Sequence, residues 1–588
     1  QKPETYIFMG GLQRKSVCGG TPPGRTGPLT CGFSHSKLGT SRLQEGFGML
    51  PSLVNDRNCL RSPIMYRSAR WMLPTIAFCC LVCLAQTTLA QSPKPTTPSD
   101  EPATITRTID ASQYFRAFHE LMAYRNTSIQ KAPAPVLAEV CEEQFGKARI
   151  TRCWLNLDEM WDFRTREYAF NYPIGVHKYD GVPEKAVETW GSVVETRLRF
   201  DDDYLKPWGG HSDEVMLCIR RYERDILDKK LGVTMADWKM IFKTAVKHSK
   251  QVCPNIRYIE VCNEYACFIR CTDEEYYEFY RLAYQAVNEV NAELELAGDD
   301  RLLVGGPNVV SNAMVRLNRF FELYGQDASP EKKLDFITWH EYHDRYADIA
   351  QREKQVNAML ATHGLPQGLP MFITEHNPYH LKAGMRQYNL INAACLVKSL
   401  YFTSVQSPGV KILPWVVFHE GKIQTRFMWF AGPNDPDSKA DELRMQPIGC
   451  SMRFLRMHKD WEITVDNDLD NNHIVLASVA NDGLVVEAVN YGEPRDVNVK
   501  VDKLPAVFTV LGNEKVTVTE YLIDQKHSNC VDNPNHPGGI DKVAEQQVQP
   551  VDGTLTLSHK NLAKHGLVLW VVTPEKTGAT LPAPSATE

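Results

Sequence analysis

From about Ile105 to Leu455, short apolar, β-prone runs alternate with longer stretches whose apolar residues recur at helical spacing. Alternation of this kind leaves few architectures open, because parallel strands need crossovers and helices supply them. The runs predict strands at Ala148–Trp154, Val215–Arg220, Ile256–Cys262, Leu302–Gly306, Phe336–His340, Met371–Thr374 and Val410–Val417, with a first strand at Tyr114–Leu121. Met235–His248 and Asp273–Val290 carry helical periodicity, and Thr272-Asp273-Glu274-Glu275 reads as a capped helix start. Eight such units make an α/β fold of the (β/α)8, or TIM, barrel type, expected over residues 105–459.

Two of these strands end in carboxylates. Ile256, Tyr258, Ile259 and Val261 lead into Asn263-Glu264, and the run Pro370–Asn377 carries Glu375. In a barrel both would stand on the C-terminal rim, the face on which such barrels do chemistry. The dipeptide alone says little, since Asn-Glu recurs at Asn288-Glu289 and Asn513-Glu514, where a solvated helix face and a loop are expected.

After Trp461 the texture becomes all-β. Short alternating runs are separated by Asn-Asp-Gly, Gly-Glu-Pro and Asp-Gly turns, which predicts a β-sandwich over 460–574 and a disordered tail over 575–588. At the other end, Arg67 and Arg70 precede an apolar stretch from Leu73 to Leu84 and a small-residue site at Thr88-Leu89-Ala90. This is the pattern of a secretory signal peptide over 65–90, followed by a Pro/Ser/Thr linker over 91–104. Translation is expected to begin at Met65, with 1–64 a non-native upstream extension. The mature protein is then expected to be secreted or periplasmic and free of the membrane after signal cleavage.

A net charge of −6 with no basic block argues against nucleic acid as partner. Ten cysteines from Cys141 to Cys530 are too sparse for a disulfide scaffold, although a Cys267–Cys271 bridge would stiffen the loop after Glu264. No CxxC pair or His-x-x-x-His supports a zinc site there. One glycosylation sequon stands at Asn126-Thr127-Ser128.

With these elements in order, the sequence resembles the clan A glycoside hydrolases, and most closely family 39, the β-xylosidase and α-L-iduronidase family. The likeness runs from about residue 105 to 574. It rests on RCWLNLDEM at Arg152–Met160, NEY at Asn263, YYEFYRLAYQAVNEVN followed by LLVGGPN, LDFITWHEY ending at Tyr342, and FITEHN around Glu375. Three positions depart from the pattern: Cys262 stands for Trp, Tyr265 for Pro, and Trp154 for a sugar-contacting His.

The resemblance implies that Glu264 is the acid/base and Glu375 the nucleophile of a retaining double displacement on an oligosaccharide or polysaccharide. Two carboxylates of that kind stand about 5–5.5 Å apart. It places His340 and Tyr342 on the same rim, Arg152 beside the nucleophile, and Asn263 against the sugar 2-OH. Trp415 on the eighth strand would stack on a sugar or fill the core, and Trp154 would form part of the sugar's wall. Asp158 and Glu159 match the family pattern or cap the next helix. No metal or organic cofactor is required. Two other readings stay open, an endo-acting polysaccharide hydrolase on the same barrel and a catalytically silent carbohydrate-binding protein. The oligomeric state is not legible.

Overall fold

The computed structural model describes residues 104–128, 134–174, 198–310, 312–378, 387–418, 429–432, 439–469, 471–504, 515–575 and 581. The expectations for 1–64, the signal peptide at 65–90, most of the linker and the tail beyond Glu575, apart from Leu581, fall outside these residues.

Eight parallel strands pair in sequence order: Tyr124–Asn126, Ala148–Asn156, Ser212–Arg220, Ile256–Val261, Leu303–Val309, Phe336–Glu341, Met371–His376 and Val410–Pro414. The eighth returns to the first through Val417, whose N–H donates to the Asn126 carbonyl at 3.1 Å. The result is the expected TIM barrel. Helices cover it, among them Met235–Val252 and Asp273–Glu293, each opened by a reciprocal capping box, at Thr234/Asp237 and Thr272/Glu275. Trp238, Ile241, Phe242, Ala245, Val246 and Ser249 are buried on the first of these, at the spacing that turns one face to the barrel.

Inside the barrel the side chains form layers. Tyr124, Ile150, Met216, Tyr258, Phe336, Phe372 and Leu413 cluster as an apolar floor. Strand side chains alternate faces, so two residues on the same face returns inward. That step gives Asn126, Arg152, Cys218, Glu260, Thr338 and Thr374, six residues with at most trace exposure that make a polar layer above the floor. Polarity at this depth is unfavourable unless each group is matched. Here Arg152 is matched by Glu260 within the layer and by Glu375 at its rim, and that pairing anchors the site.

The N-terminal boundary differs from expectation. Ile105–Asp110 pairs in parallel with Arg495–Asp502, and Tyr114–Ala117 pairs with Trp461–Ile463. Both segments therefore belong to the C-terminal β domain. The first barrel strand is Tyr124–Asn126, and three residues are too few to show any periodicity. The β domain has a three-stranded and a seven-stranded sheet around a core that includes Val475, Val486, Val499, Leu557 and Trp570. Its other face shares the barrel's apolar core, where Leu476, Val485 and Leu569 cluster with Phe454 and Leu455. Among the described residues no helix is long and apolar enough to cross a membrane.

Candidate active site

The fourth strand is buried along Ile256–Val261 apart from Arg257 and delivers Glu264 through a tight turn. Cys262 (φ 63°) and Glu264 (φ 45°, ψ 51°) both occupy the left-handed region. For residues with a Cβ this costs on the order of 1–3 kcal/mol each, so neighbours must enforce it. Asn308 does so from the fifth strand. Its carbonyl accepts from Glu264 N–H at 2.9 Å, while its Nδ2 donates to the Cys262 carbonyl at 3.0 Å and to Asn263 Oδ1 at 3.2 Å. The Glu264 carbonyl then accepts from Cys267 and Phe268 N–H, which starts the next turn.

Glu375 reaches the same place by an irregularity. By alternation it should face away from the barrel interior, since Thr374 faces in. The pairing between the sixth and seventh strands slips, however: Trp339 opposes Ile373, and His340 opposes Glu375. Such a bulge re-aims the following side chain. Glu375 Oε1 accepts from Arg152 Nη1 at 2.9 Å, and Oε2 accepts from the Tyr342 hydroxyl.

His340 joins the two carboxylates. Its Nδ1 lies 2.7 Å from Glu264 Oε1 and 3.5 Å from Glu375 Oε2. That nitrogen and one oxygen of each glutamate are all within 4.8 Å of one another, and all three residues are buried. Among the described residues this is the one group of His, Cys, Asp and Glu spaced to hold a metal ion. Its Glu375 member is already bound to a guanidinium, so the donor set is poorly suited to a resident cation.

Arg152 is fully buried and organises the floor of the site. Nε donates to Glu260 Oε2 at 2.7 Å, Nη1 to Glu375, and Nη2 to Asn263 Oδ1 at 3.0 Å. Burial works against its charge, but Glu260 and Glu375 outweigh burial and hold it well above its usual value. The Tyr342 phenol is pushed well above 10 by burial and by both glutamates, so it remains a neutral O–H donor.

Of the residues expected from sequence, Glu264, Glu375, Asn263, His340, Tyr342 and Arg152 are thus brought into one hydrogen-bonded group. Trp154 lies beside it but is 3% exposed, its Nε1 donates to the Thr127 carbonyl at 2.7 Å, and its ring carries two guanidinia. Trp415 is half-buried and meets Trp154 edge-on at 5.7 Å. Asp158 and Glu159 occupy a buried turn, Leu157–Met160, away from the two catalytic candidates; burial, reinforced by Asp158, pushes Glu159 up to about 8. The expected bridge between Cys267 and Cys271 is not formed: Cys267 is exposed, while Cys271 points inward to the Tyr265 carbonyl. The sequon's Asn126 is fully buried and donates to the Thr374 carbonyl, so the folded barrel offers it no room for a glycan.

Two contributors went unnoticed in the sequence, Glu260 and Asn308. Glu260 had a signal, since an acid inside an apolar strand must be paired. Asn308 had none, because its role depends on a turn at the end of the neighbouring fourth strand.

No protein-family model matches the sequence, and no curated protein matches it. Solved structures do match by fold. A GH39 enzyme from Xanthomonas axonopodis pv. citri is 13% identical over 82% of this chain and 99% of its own, with a TM-score of 0.55. A monomeric β-xylosidase from Caulobacter crescentus is 13% identical over 80% of this chain and 100% of its own, at 0.54. A glucosidase from Croceicoccus marinus is 14% identical over 81% and 100%, at 0.53. At such identities the likeness is one of fold.

Proposed function

We propose that this chain is an exported retaining glycoside hydrolase that cleaves O-glycosidic bonds of an oligosaccharide or polysaccharide by double displacement. The observation that carries the reading is the pair of buried carboxylates, Glu264 and Glu375, with oxygens within 4.8 Å of each other across His340. Retaining pairs stand about 5–5.5 Å apart, whereas inverting pairs need about 6.5–9.5 Å to admit a water.

The two environments support different roles. Glu375 accepts from Arg152 with one oxygen and from the Tyr342 hydroxyl with the other, which fixes the carboxylate in place as a nucleophile needs. Glu264 has His340 as its hydrogen-bonding side chain and no cation pair with Lys or Arg among the described residues, which suits a group that must gain and lose a proton. In the first step a Glu375 oxygen bonds the anomeric carbon while the leaving oxygen departs with the Glu264 proton. In the second, water gives a proton to Glu264 and its oxygen displaces Glu375 from the same carbon. Asn263 supports both steps. Its Oδ1 is occupied by Arg152 and Asn308, so its Nδ2 is left to donate to a sugar hydroxyl.

A panel of aryl glycosides, xylosides and uronides included, tests the reading with protein purified from residue 91 onward. Turnover of at least one is expected. Sugar binding by calorimetry with no turnover of any would overturn it in favour of a silent lectin.

A further inference from the structure

The slip that aims Glu375 has a definite place in the chain. Trp339 and His340 are consecutive, whereas their partners Ile373 and Glu375 are two apart, so the seventh strand carries one residue more than the sixth at that point. An extra residue reverses the alternation beyond it. Glu375 therefore turns inward beside His340, and His376, paired with Glu341, turns outward. The sixth strand keeps its own alternation: Phe336, Thr338 and His340 face in, and Trp339 and Glu341 face the helices.

Behind the rim the outward residues form a second hydrogen-bonded group. The Glu341 carbonyl accepts from His376 Nδ1 at 2.8 Å. A carbonyl cannot donate, so the imidazole proton is on Nδ1, and burial pulls the ring down to about 4, which leaves it neutral at physiological pH. The Glu341 carboxylate is anchored in turn. Its Oε1 accepts from Trp339 Nε1 at 2.9 Å and from Arg352 Nε, and its Oε2 lies 3.1 Å from His343 Nε2. Burial works against this carboxylate, but His343 and Arg352 outweigh burial and hold it below its usual value. Arg352 opens the helix Arg352–Thr362 and also donates to Gln355 Oε1 at 2.6 Å, so the group ties both strand ends to the helix layer. Its members adjoin the site in sequence: Glu341 stands between His340 and Tyr342, and His376 follows Glu375. In an unbroken register His376 would face in with Thr374 and give up the Glu341 carbonyl. A buried ring N–H without an acceptor is costly, so this bond favours the slipped register.

We infer that His376 is a positioning residue, a latch that holds the seventh strand in its slipped register through the Glu341 carbonyl and so keeps Glu375 against Arg152. The effect on catalysis rests on the glycosidase reading, whereas the latch does not, and the two can fail separately.

The test compares wild type, His376→Leu and His376→Asn on the nitrophenyl and dinitrophenyl glycosides that wild type hydrolyses. Leu fills the space and donates nothing, whereas Asn keeps an N–H donor where Nδ1 stood. In His376→Leu, kcat/KM falls about 100-fold on both leaving groups, the scale of a reacting group displaced by about 1 Å, while the inhibition constant of the released sugar is unchanged. His376→Asn recovers most of the loss. A wild-type kcat/KM in His376→Leu, a loss confined to the nitrophenyl substrate, or an equal loss in both variants overturns the inference. Should His376→Leu not fold, His376→Met, whose flexible side chain adapts to the same space, takes its place. If wild type turns nothing over, the glycosidase reading fails by itself, and crystal structures decide the latch. The His340–Glu375 pairing and the Glu375–Arg152 contact are then lost in His376→Leu and kept in His376→Asn; a His376→Leu structure that keeps both overturns it.

Discussion

Glu375→Ala lowers turnover on every substrate of the wild-type protein by ~10⁴-fold or more, because it removes the atom that forms the covalent intermediate. The fold should survive the change, since Arg152 keeps Glu260 and Asn263 as partners and no buried cation is left unmatched. A melting temperature close to wild type checks this. The truncated side chain leaves a space beside the anomeric carbon that a small anion can fill. Added azide should therefore restore turnover of activated substrates and yield a glycosyl azide of inverted configuration, since a single displacement replaces two. Residual activity above about one per cent would remove Glu375 from the nucleophile's role.

Glu264→Ala separates substrates by their leaving groups. Proton transfer contributes typically ~10²–10⁴-fold, and only when the leaving oxygen needs a proton. An alkyl or sugar leaving group should lose that full factor in the first step, and a dinitrophenolate should lose almost none. The second step also slows, because Glu264 no longer takes the proton from water, so the glycosyl-enzyme should accumulate and give a burst. Azide needs no such help; it should speed the second step and give a product of retained configuration. Equal loss on good and poor leaving groups would assign Glu264 a structural role. His340 loses its carboxylate partner in this variant and remains close to Glu375, at 3.5 Å, so some reorientation of the ring is part of the expected effect.

Much of this site was legible because barrel strands write their role into a short window. An apolar run of five or six residues ending in a polar one identifies both the strand and the rim, and the strands of Glu264 and Glu375 were found to within a few residues of their bounds. What stayed hidden is non-local. The bulge that turns Glu375 inward exists only in the pairing between the sixth and seventh strands, and the left-handed turn at Glu264 is imposed by Asn308 from the fifth. The strands Ile105–Asp110 and Tyr114–Ala117 were assigned to the barrel because nothing within them names partners more than 300 positions away. Asp541–Val548 was missed for a different reason. It is an edge strand whose side chains are exposed on both faces, so its sequence, DKVAEQQV, carries no alternation to read.

The same layering explains why substrate identity lagged behind chemistry. Glu264, Glu375, Arg152 and His340 are fixed by one another inside the barrel, whereas the segments 175–197, 379–386 and 419–428 lie outside the described residues.

The stereochemistry of hydrolysis tests the central claim most directly. Proton NMR of the first-formed sugar, recorded before mutarotation, distinguishes two displacements at one carbon from a single one. Glu264 and Glu375, with oxygens within 4.8 Å, predict that the product has the anomeric configuration of the substrate. An initial product of inverted configuration would contradict the double displacement and the roles assigned to both glutamates.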